Sequence, residues 1–451
     1  FLRRLCFLRR LCFLRRLCFL RRLCAPCTAA DSRDQNESVP TPLPSPRDQQ
    51  PWSLRQLWPG VYLPAIVVEI GIGAIVPFIP ATVVDQGGTL AMAGLLAAML
   101  PIGRIVADVP AGALTHRIGD RRAMLLACLL VAVVMAAAAF APNLLLLGVL
   151  LFLVGAADAV FGLARQSYLT AVTPPMRRAR ALSTLGGVHR IGLFIGPFAG
   201  ALVVHDGEPS RAFLLAAVTS VLAWMTVVIS RELPGAAEIR AGEESHSLVA
   251  VLREHSGVLS RLGVATGAVG LIRGARGVVL PLWGEHLGFS PSTTALIFGL
   301  SGAIDMALFY PAGKVMDARG RLWIAIPSML TMGLALALVP FTSTVMGLGA
   351  VALLLGLGNG MGSGVIMTLG ADVAPPGARA QFLGAWRLLQ DSGNALGPLT
   401  LAGGAALGTL AGGIAVTAAL SVGAAAALWR FVPRYSVHAN RTTRRRAGIG
   451  V

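Results

Sequence analysis

The stretch His189-Arg190-Ile-Gly192-Leu-Phe-Ile-Gly196-Pro197-Phe-Ala-Gly200-Ala201 decides how this chain is read. Glycine at every fourth position leaves a smooth strip along one face of a helix, against which a second helix can pack closely. Pro197 removes one backbone donor, which a helix in lipid tolerates when neighbouring groups satisfy the freed carbonyl. Arg190 sets a charge into the same apolar run. Alone, such a strip is a packing face. It carries more weight because it recurs: Gly192, Gly196 and Pro197 reappear as Gly393, Gly397 and Pro398, each 201 residues on.

The same ungapped register links other breaker residues. Pro110-Ala111-Gly112 matches Pro311-Ala312-Gly313, Gly119 matches Gly320, Pro174-Pro175 matches Pro375-Pro376, and Arg178 matches Arg379. Two homologous halves follow. Composition says what they are made of: 55% of the 451 residues are hydrophobic and 13% charged, with a mean hydropathy of +0.71. Apolar runs long enough to cross a bilayer follow one another at 61–84, 90–115, 122–141, 143–165, 181–204, 211–230, 258–284, 291–316, 321–341, 344–370, 380–407 and 409–432. The chain is therefore expected to be an all-α polytopic membrane protein of twelve transmembrane helices in two pseudo-symmetric six-helix halves. Repeated halves of this kind are a transporter architecture.

The net charge of +17 would suit nucleic acid, but its placement does not. Eight arginines fall in the first 24 residues, and Lys314 is the only lysine. The remaining positive charge gathers in the even-numbered turns: Arg117, Arg121 and Arg122, then Arg177, Arg178 and Arg180, then Arg319 and Arg321, and finally Arg379. The opposite turns hold Asp85, Asp206, Glu208 and Glu285 against Arg211. The positive-inside rule puts both termini in the cytoplasm and the protein in the inner (plasma) membrane. Six cysteines, five of them before residue 28, form neither a disulfide framework nor a metal-ligand spacing, so no metal or other cofactor is expected.

The expected organisation runs as follows. Residues 1–51 join four copies of Phe-Leu-Arg-Arg-Leu-Cys, read as a low-complexity leader rather than a lipid-binding segment, to a disordered linker. Residues 52–230 form the first half, 231–257 a charged cytoplasmic connecting loop, 258–433 the second half, and 434–451 a basic cytoplasmic tail.

Three motifs make the chain resemble the major facilitator superfamily, and within it the twelve-helix drug:proton antiporters. Gly112-Ala-Leu-Thr-His116-Arg117-Ile-Gly119-Asp-Arg121-Arg122 is similar to the superfamily's signature between its second and third helices, echoed by Gly313, Asp317, Gly320 and Arg321. Gly71, Pro77 and Pro80 resemble the antiporters' first-helix motif. The opening stretch (Gly192, Gly196, Pro197 and Gly200) resembles their fifth-helix motif, with Ala201 where a second glycine is usual. Two departures stand out: His116 replaces the signature aspartate, and residues 143–154 lack the arginine such antiporters carry early in the fourth helix.

The resemblance implies a secondary transporter working by alternating access, with small molecules, protons and the lipid bilayer as its partners. Proton-coupled efflux of a drug or metabolite comes first, and proton-coupled uptake of a metabolite or organic anion is the alternative. A non-transporting membrane enzyme or receptor is a remote third, because no HExxH, GxSxG or Walker lysine loop is present. The chain is expected to act as a monomer.

Charge inside the membrane costs about 2.5–3.5 kcal/mol per group on insertion scales, so each such residue needs a cavity or a partner. The resemblance implies that Glu69 is the proton-coupling carboxylate, a structural acid paired with an arginine being the alternative, and Asp158 is expected as a second. Arg273 and Arg276 lie three apart on the seventh helix and, with Asn359, complete the expected substrate cavity; they could attract an anionic substrate group or simply pair with Glu69 or Asp158. Under the repeat Arg104 corresponds to Asp305 and Arg190 to Asp391, so the halves carry opposite charge at equivalent places. The superfamily resemblance implies that the second helix faces the eleventh and the fifth the eighth, so two pairs across the seam are expected, Arg104 with Asp391 and Arg190 with Asp305, closing the cytoplasmic half when the outer side is open. Intrahelical pairs, Arg104 with Asp108 and Arg387 with Asp391, are the simpler alternative. Arg165 and His189 are assigned to snorkelling or loop contacts, and Trp283, Trp323, Trp386 and Trp429 to interfacial anchoring.

Overall fold

A computed structural model describes residues 54–173, 178–204, 208–230, 253–375 and 379–447. The hexapeptide leader, the linker before residue 54 and most of the 231–257 loop lie outside them. Twelve long helical stretches follow in order: α1 (Trp58–Asp85), α2 (Leu90–Ile118), α3 (Asp120–Ala139), α4 (Leu144–Val172), α5 (Arg178–Val203), α6 (Ser210–Ile229), α7 (Ser256–His286), α8 (Pro291–Arg319), α9 (Leu322–Leu338), α10 (Val345–Val373), α11 (Arg379–Ala406) and α12 (Leu410–Tyr435). A short α13 (Arg441–Arg446) closes the described chain. Eleven of the twelve are long and apolar enough to cross a membrane by length and composition. The exception is α11, whose Arg387, Gln390, Asp391, Ser392 and Asn394 dilute its hydropathy.

The repeat is visible in backbone detail. Thr89 and Asn143 cap α2 and α4, their side-chain oxygens accepting from Met92 N at 3.3 Å and Leu146 N at 2.9 Å. Ser290 and Thr344, each 201 residues on, cap α8 and α10 in the same way, accepting from Thr293 N at 3.2 Å and Gly347 N at 3.1 Å. A side-chain oxygen satisfies an orphan amide at a helix start, which fixes where the helix begins. Gly119 and Gly320 both take positive φ, +93° and +105°, at the tight turns that end α2 and α8. A side chain there would be strained, so the register fixes the turns as well as the caps.

Packing repeats too. In the first half α1 lies on α5 and α6, α2 on α4, and α3 on α6; in the second α7 lies on α11, α8 on α10, and α9 on α12. The halves meet where α2 packs on α11 and α5 on α8. The glycine strip serves the first kind of contact. A Cβ on Gly196 would come within 2.6 Å of backbone atoms of Ile70, Gly73 and Ala74 on α1, and one on Gly200 within 2.7 Å of the Phe78 ring. Gly393 and Gly397 press α11 onto α7 at Gly267, Leu271 and Ala275 in the same way. The strip is thus an intra-half seam. Arg190, Phe194 and Phe198, on another face of α5, look across to α8.

Two helices depart from regular geometry. Pro77 and Pro80 each lack an amide donor, and α1 tightens to a 3-10 turn at Val76–Phe78. Helix α10 breaks into Val345–Gly362 and Val365–Val373 around Gly364, whose φ is +81°. The glycines at 358, 360, 362 and 364 make that break affordable.

Of the four tryptophans expected as anchors, Trp323 and Trp429 are exposed on the outside of the bundle. Trp283 and Trp386 are buried instead. Their indole N–H groups find acceptors in Thr342 Oγ1 at 3.0 Å and the Ile366 carbonyl at 3.0 Å, as a buried indole requires.

Candidate functional site

The ends of the bundle differ in charge: the turns after α2 and α8 are basic, while those after α1 and α7 carry Asp85 and Glu285. At the acidic end the halves are pressed together. A Cβ on Gly94 of α2 would meet Ala402 of α11 at 2.9 Å, and Ser292 Oγ donates to the Val204 carbonyl at 2.8 Å. Phe78, Ala201, Val204, Ala212 and Ala295 form one buried cluster there. Toward the basic end a Cβ on Gly186, Gly187, Gly313 or Gly384 would meet nothing within 4 Å. Tyr310 on α8 is 69% exposed. Described contacts tie the halves at the acidic end, and these four glycines have free space beside them toward the basic end.

Between these ends sit two charged clusters. The first belongs to the first half. Glu69 on α1 is 2% exposed, and its Oε1 lies 2.6 Å from Nδ1 of His189 on α5 and 3.7 Å from Nη1 of Arg165 on α4. Gly192 makes this approach possible, because a Cβ there would collide with Glu69 Cβ and with the Ile66 carbonyl. Glu69 Oε2 has no hydrogen-bond partner among the described residues. Beside this group, Arg104 on α2 forms an ion pair with Asp158 on α4.

The second cluster centres on Asp305 of α8. Arg190 Nη1 donates to its Oδ1 at 3.1 Å across the seam, and Asn359 Nδ2 on α10 donates to Oδ2 at 2.7 Å. The Arg190 guanidinium also lies over the Phe309 ring, 4.6 Å from its centroid. Arg276 on α7 stands 3.7 Å from Asp305 Oδ2 and donates to Ser301 Oγ at 3.2 Å. Arg273 donates to the Gly362 carbonyl, freed by the break in α10. Under the 201-residue register the contacts Arg104–Asp158 and Asp305–Asn359 are equivalent, each tying the second helix of a half to its fourth.

Several expected contacts are absent and others replace them. Arg104 does not reach Asp391. Helices α2 and α11 do pack together, but α4 offers a nearer carboxylate, and Asp391 lies against Arg387 of its own helix at 3.5 Å. No ion pair joins Arg104 to Asp108 among the described residues. Arg190 and Asp305 are paired across the seam. Neither Arg273 nor Arg276 pairs with Glu69 or Asp158. Arg165 and His189 do not snorkel; they turn inward onto Glu69, and Arg165 is 8% exposed. The fourth helix therefore does bring an arginine to the site, from its far end.

The loop motifs act as clips. Arg121 donates to the carbonyls of Val227, Val228 and Ser230, tying the start of α3 to the end of α6. Arg321 lies 3.4 Å from Asp317 and 3.1 Å from Asp372 at the end of α10, and Ser436 donates to the same Asp372 carboxylate at 2.9 Å. Nothing in the sequence reading singled out Asp372. Gly112 and Arg117 lie at the basic end of α2, with Arg117 exposed.

The profile of the Major Facilitator Superfamily matches residues 61–398. The chain belongs to that superfamily. It is similar to the multidrug resistance protein MdtH of Enterobacter sp. (strain 638), 26% identical over 74% of this chain and 82% of that protein. The class H tetracycline resistance protein of Pasteurella multocida is 28% identical over 38% of this chain and 44% of its own. Among solved structures, the nucleoside transporter NupG superposes with a TM-score of 0.69 at 13% identity, covering 83% of this chain and 98% of that one. A D-xylose-proton symporter gives 0.66 at 16% identity, over 82% and 97%. The superfamily protein described here is a multi-pass membrane transporter of small molecules and not an enzyme. Between the ends of its bundle, Glu69 contacts His189 in the first half, and Arg190 and Arg276 gather on Asp305 in the second.

Proposed function

We propose that this superfamily member is a proton-coupled exporter of small molecules in the cytoplasmic membrane, with Glu69 as the carboxylate that carries the proton. The observation that carries the reading is the Glu69–His189 contact at 2.6 Å, a buried carboxylate set beside an imidazole in the middle of the bundle. By the positive-inside rule the basic end is cytoplasmic. A carboxylate paired with a histidine can pass a proton without leaving either group charged and alone, which the low dielectric would penalise. Arg165 of α4 stands 3.7 Å from the same carboxylate. Asp158, held by Arg104, is the second carboxylate of the same half, and Asn359 with the α7 arginines lines the facing wall. The likeness to MdtH and to the tetracycline resistance protein supports export over uptake.

The test uses inverted membrane vesicles holding an imposed pH gradient, acid inside. Addition of a transported compound should release protons from the vesicle lumen, and Glu69→Gln should abolish that release while leaving binding intact. Proton release that survives Glu69→Gln would remove the coupling assignment. Compound movement opposite to the stated direction would replace export by proton-coupled uptake.

A further inference from the structure

We propose that Arg276 and Arg273 of α7 form a subsite for a negatively charged group on the transported molecule, a carboxylate, sulfonate or phosphate. This rests on the transport reading above and narrows its cargo to organic anions and zwitterions.

The argument is one of charge balance in a medium of low dielectric, where a buried charge needs a partner. Three guanidinium groups, those of Arg190, Arg273 and Arg276, surround one carboxylate, Asp305. The charges that act on Arg276 are those of Asp305 and Arg190, and on Arg273 those of Arg190, Asp305 and Arg276. Asp305 is already engaged at both oxygens, by Arg190 at 3.1 Å and by Asn359 at 2.7 Å. Arg276 stands off at 3.7 Å and spends its hydrogen bond on a neutral hydroxyl, that of Ser301. Arg273 spends its own on the Gly362 carbonyl. The Nε atoms of both arginines are buried with no hydrogen-bond partner among the described residues. Counting charges, three positive groups face one negative group, and two positive charges remain uncompensated.

The other carboxylates of the cavity cannot supply the balance from where they stand. Glu69 is engaged by His189 and Arg165, Asp158 by Arg104, and Asp391 lies against Arg387. The Gly362 carbonyl ends a helix, and its partial negative charge offsets part of Arg273's. Arg276 is left as the less compensated of the two. Three residues apart on a helix, the pair projects from one face. Guanidinium forks bind planar or tetrahedral oxyanions through paired N–H donors, which sets the chemical class. An anion entering here completes the charge balance that the chain itself leaves open.

The experiment is equilibrium binding to the purified full-length chain in detergent micelles. Three aromatic anions, toluenesulfonate, benzoate and phenyl phosphate, are compared with benzyltrimethylammonium, a cation with a similar apolar body. At least one anion should bind at least about tenfold more tightly than the cation, the effect of one charge-assisted hydrogen bond. Arg276→Gln should remove at least about tenfold of that affinity, Arg276→Lys should keep part of it, and Asp317→Asn, at an exposed position of α8, should leave it unchanged. Should Arg276→Gln fail to fold, the unaltered chain still decides: anions must raise its melting temperature and the cation must not. Equal or tighter binding of the cation, no binding of any of the three anions, or anion affinity untouched by Arg276→Gln would overturn the subsite. Proton release in vesicles on adding a cation, with no anion binding, would keep the export reading and reject this one. Anion binding without proton release would do the reverse.

Discussion

Removing the charge of Asp305 should harm the fold far more than removing that of Arg190, although the two are partners in one ion pair. At an effective dielectric of about 20, unit charges 3.1 Å apart attract by about 5 kcal/mol and those 3.7 Å apart by about 4.5 kcal/mol, before desolvation is subtracted. Arg190→Gln gives up the first attraction. Asp305 then keeps the Asn359 hydrogen bond, and Arg276 can close its remaining gap. The pair is also partly solvated, with side chains 25% and 16% exposed, so the net cost falls to about 1–2 kcal/mol. Asp305→Asn is different in kind. It leaves Arg190, Arg273 and Arg276 together with no carboxylate among them, the situation in which losing one partner of a buried pair costs about 3–5 kcal/mol. The double variant removes one of the three stranded positive charges, so it should be more stable than Asp305→Asn alone. The assay is the apparent melting temperature of all four proteins in the same detergent at one heating rate, read from the monodisperse peak remaining after heating. The expected order runs from the parent through Arg190→Gln and the double variant to Asp305→Asn. If the double variant is the least stable and the two losses simply add, the three arginines do not share Asp305, and the charge-balance argument fails.

Further outcomes follow from neighbouring contacts. His189→Asn leaves Glu69 facing Arg165 with no side chain able to share its proton; proton-driven flux in vesicles should drop at least about tenfold, within the range ascribed to a positioned acid–base group, while downhill exchange of substrate persists. Gly196→Ala puts a Cβ 2.6 Å from the α1 backbone and should abolish the monodisperse folded peak, whereas Gly187→Ala, with nothing within 4 Å, should leave it unchanged. Asp372→Asn leaves Arg321 with the exposed Asp317 and should cost about 1–3 kcal/mol of thermal stability without altering the affinity of a bound anion.

The fold was legible because its signals are local. Caps such as Asn143 and Thr344, and turn glycines such as Gly119 and Gly320, act within a few residues of themselves, so a fixed spacing between them survives translation into structure. The charge pairs were less legible because each seam helix has two neighbours. Arg104 lies where α2 meets α4 on one side and α11 on the other, and spacing along α2 cannot say which carboxylate is nearer. Arg165 and His189 were misjudged for a related reason. Depth along α4 and α5 suggested the basic end, but Gly192 lets α1 come so close to α5 that His189 reaches Glu69, and Arg165 turns to the same carboxylate from α4. The break in α10 was hidden among glycines that read equally well as a packing face.

The two halves share a scaffold and differ in chemistry, and the difference falls at equivalent positions. Caps, turn glycines and the glycine strips coincide under one register, so the backbone is built twice from the same instructions. At the site the register joins unlike residues: Arg104 to Asp305, Asp158 to Asn359, Glu69 to Gly270, and His189 to Gln390. The hydrogen bond from second helix to fourth is kept while its charges change, from Arg104–Asp158 in one half to Asp305–Asn359 in the other. A pair that is ionic in one half and half-neutral in the other has kept its packing role and been released from its charge. On the proposed assignment this places the proton carrier in the first half and the anion subsite in the second. Proton and cargo then sit on opposite walls of one cavity, and rocking of the halves moves both past the same seam. Asp158→Asn, which gives the first half the second half's residue, tests that division. It strands Arg104 and should weaken proton coupling, while anion affinity at Arg276 stays as it was. A loss of anion affinity as large as that of Arg276→Gln would mean that the walls are not separate in function.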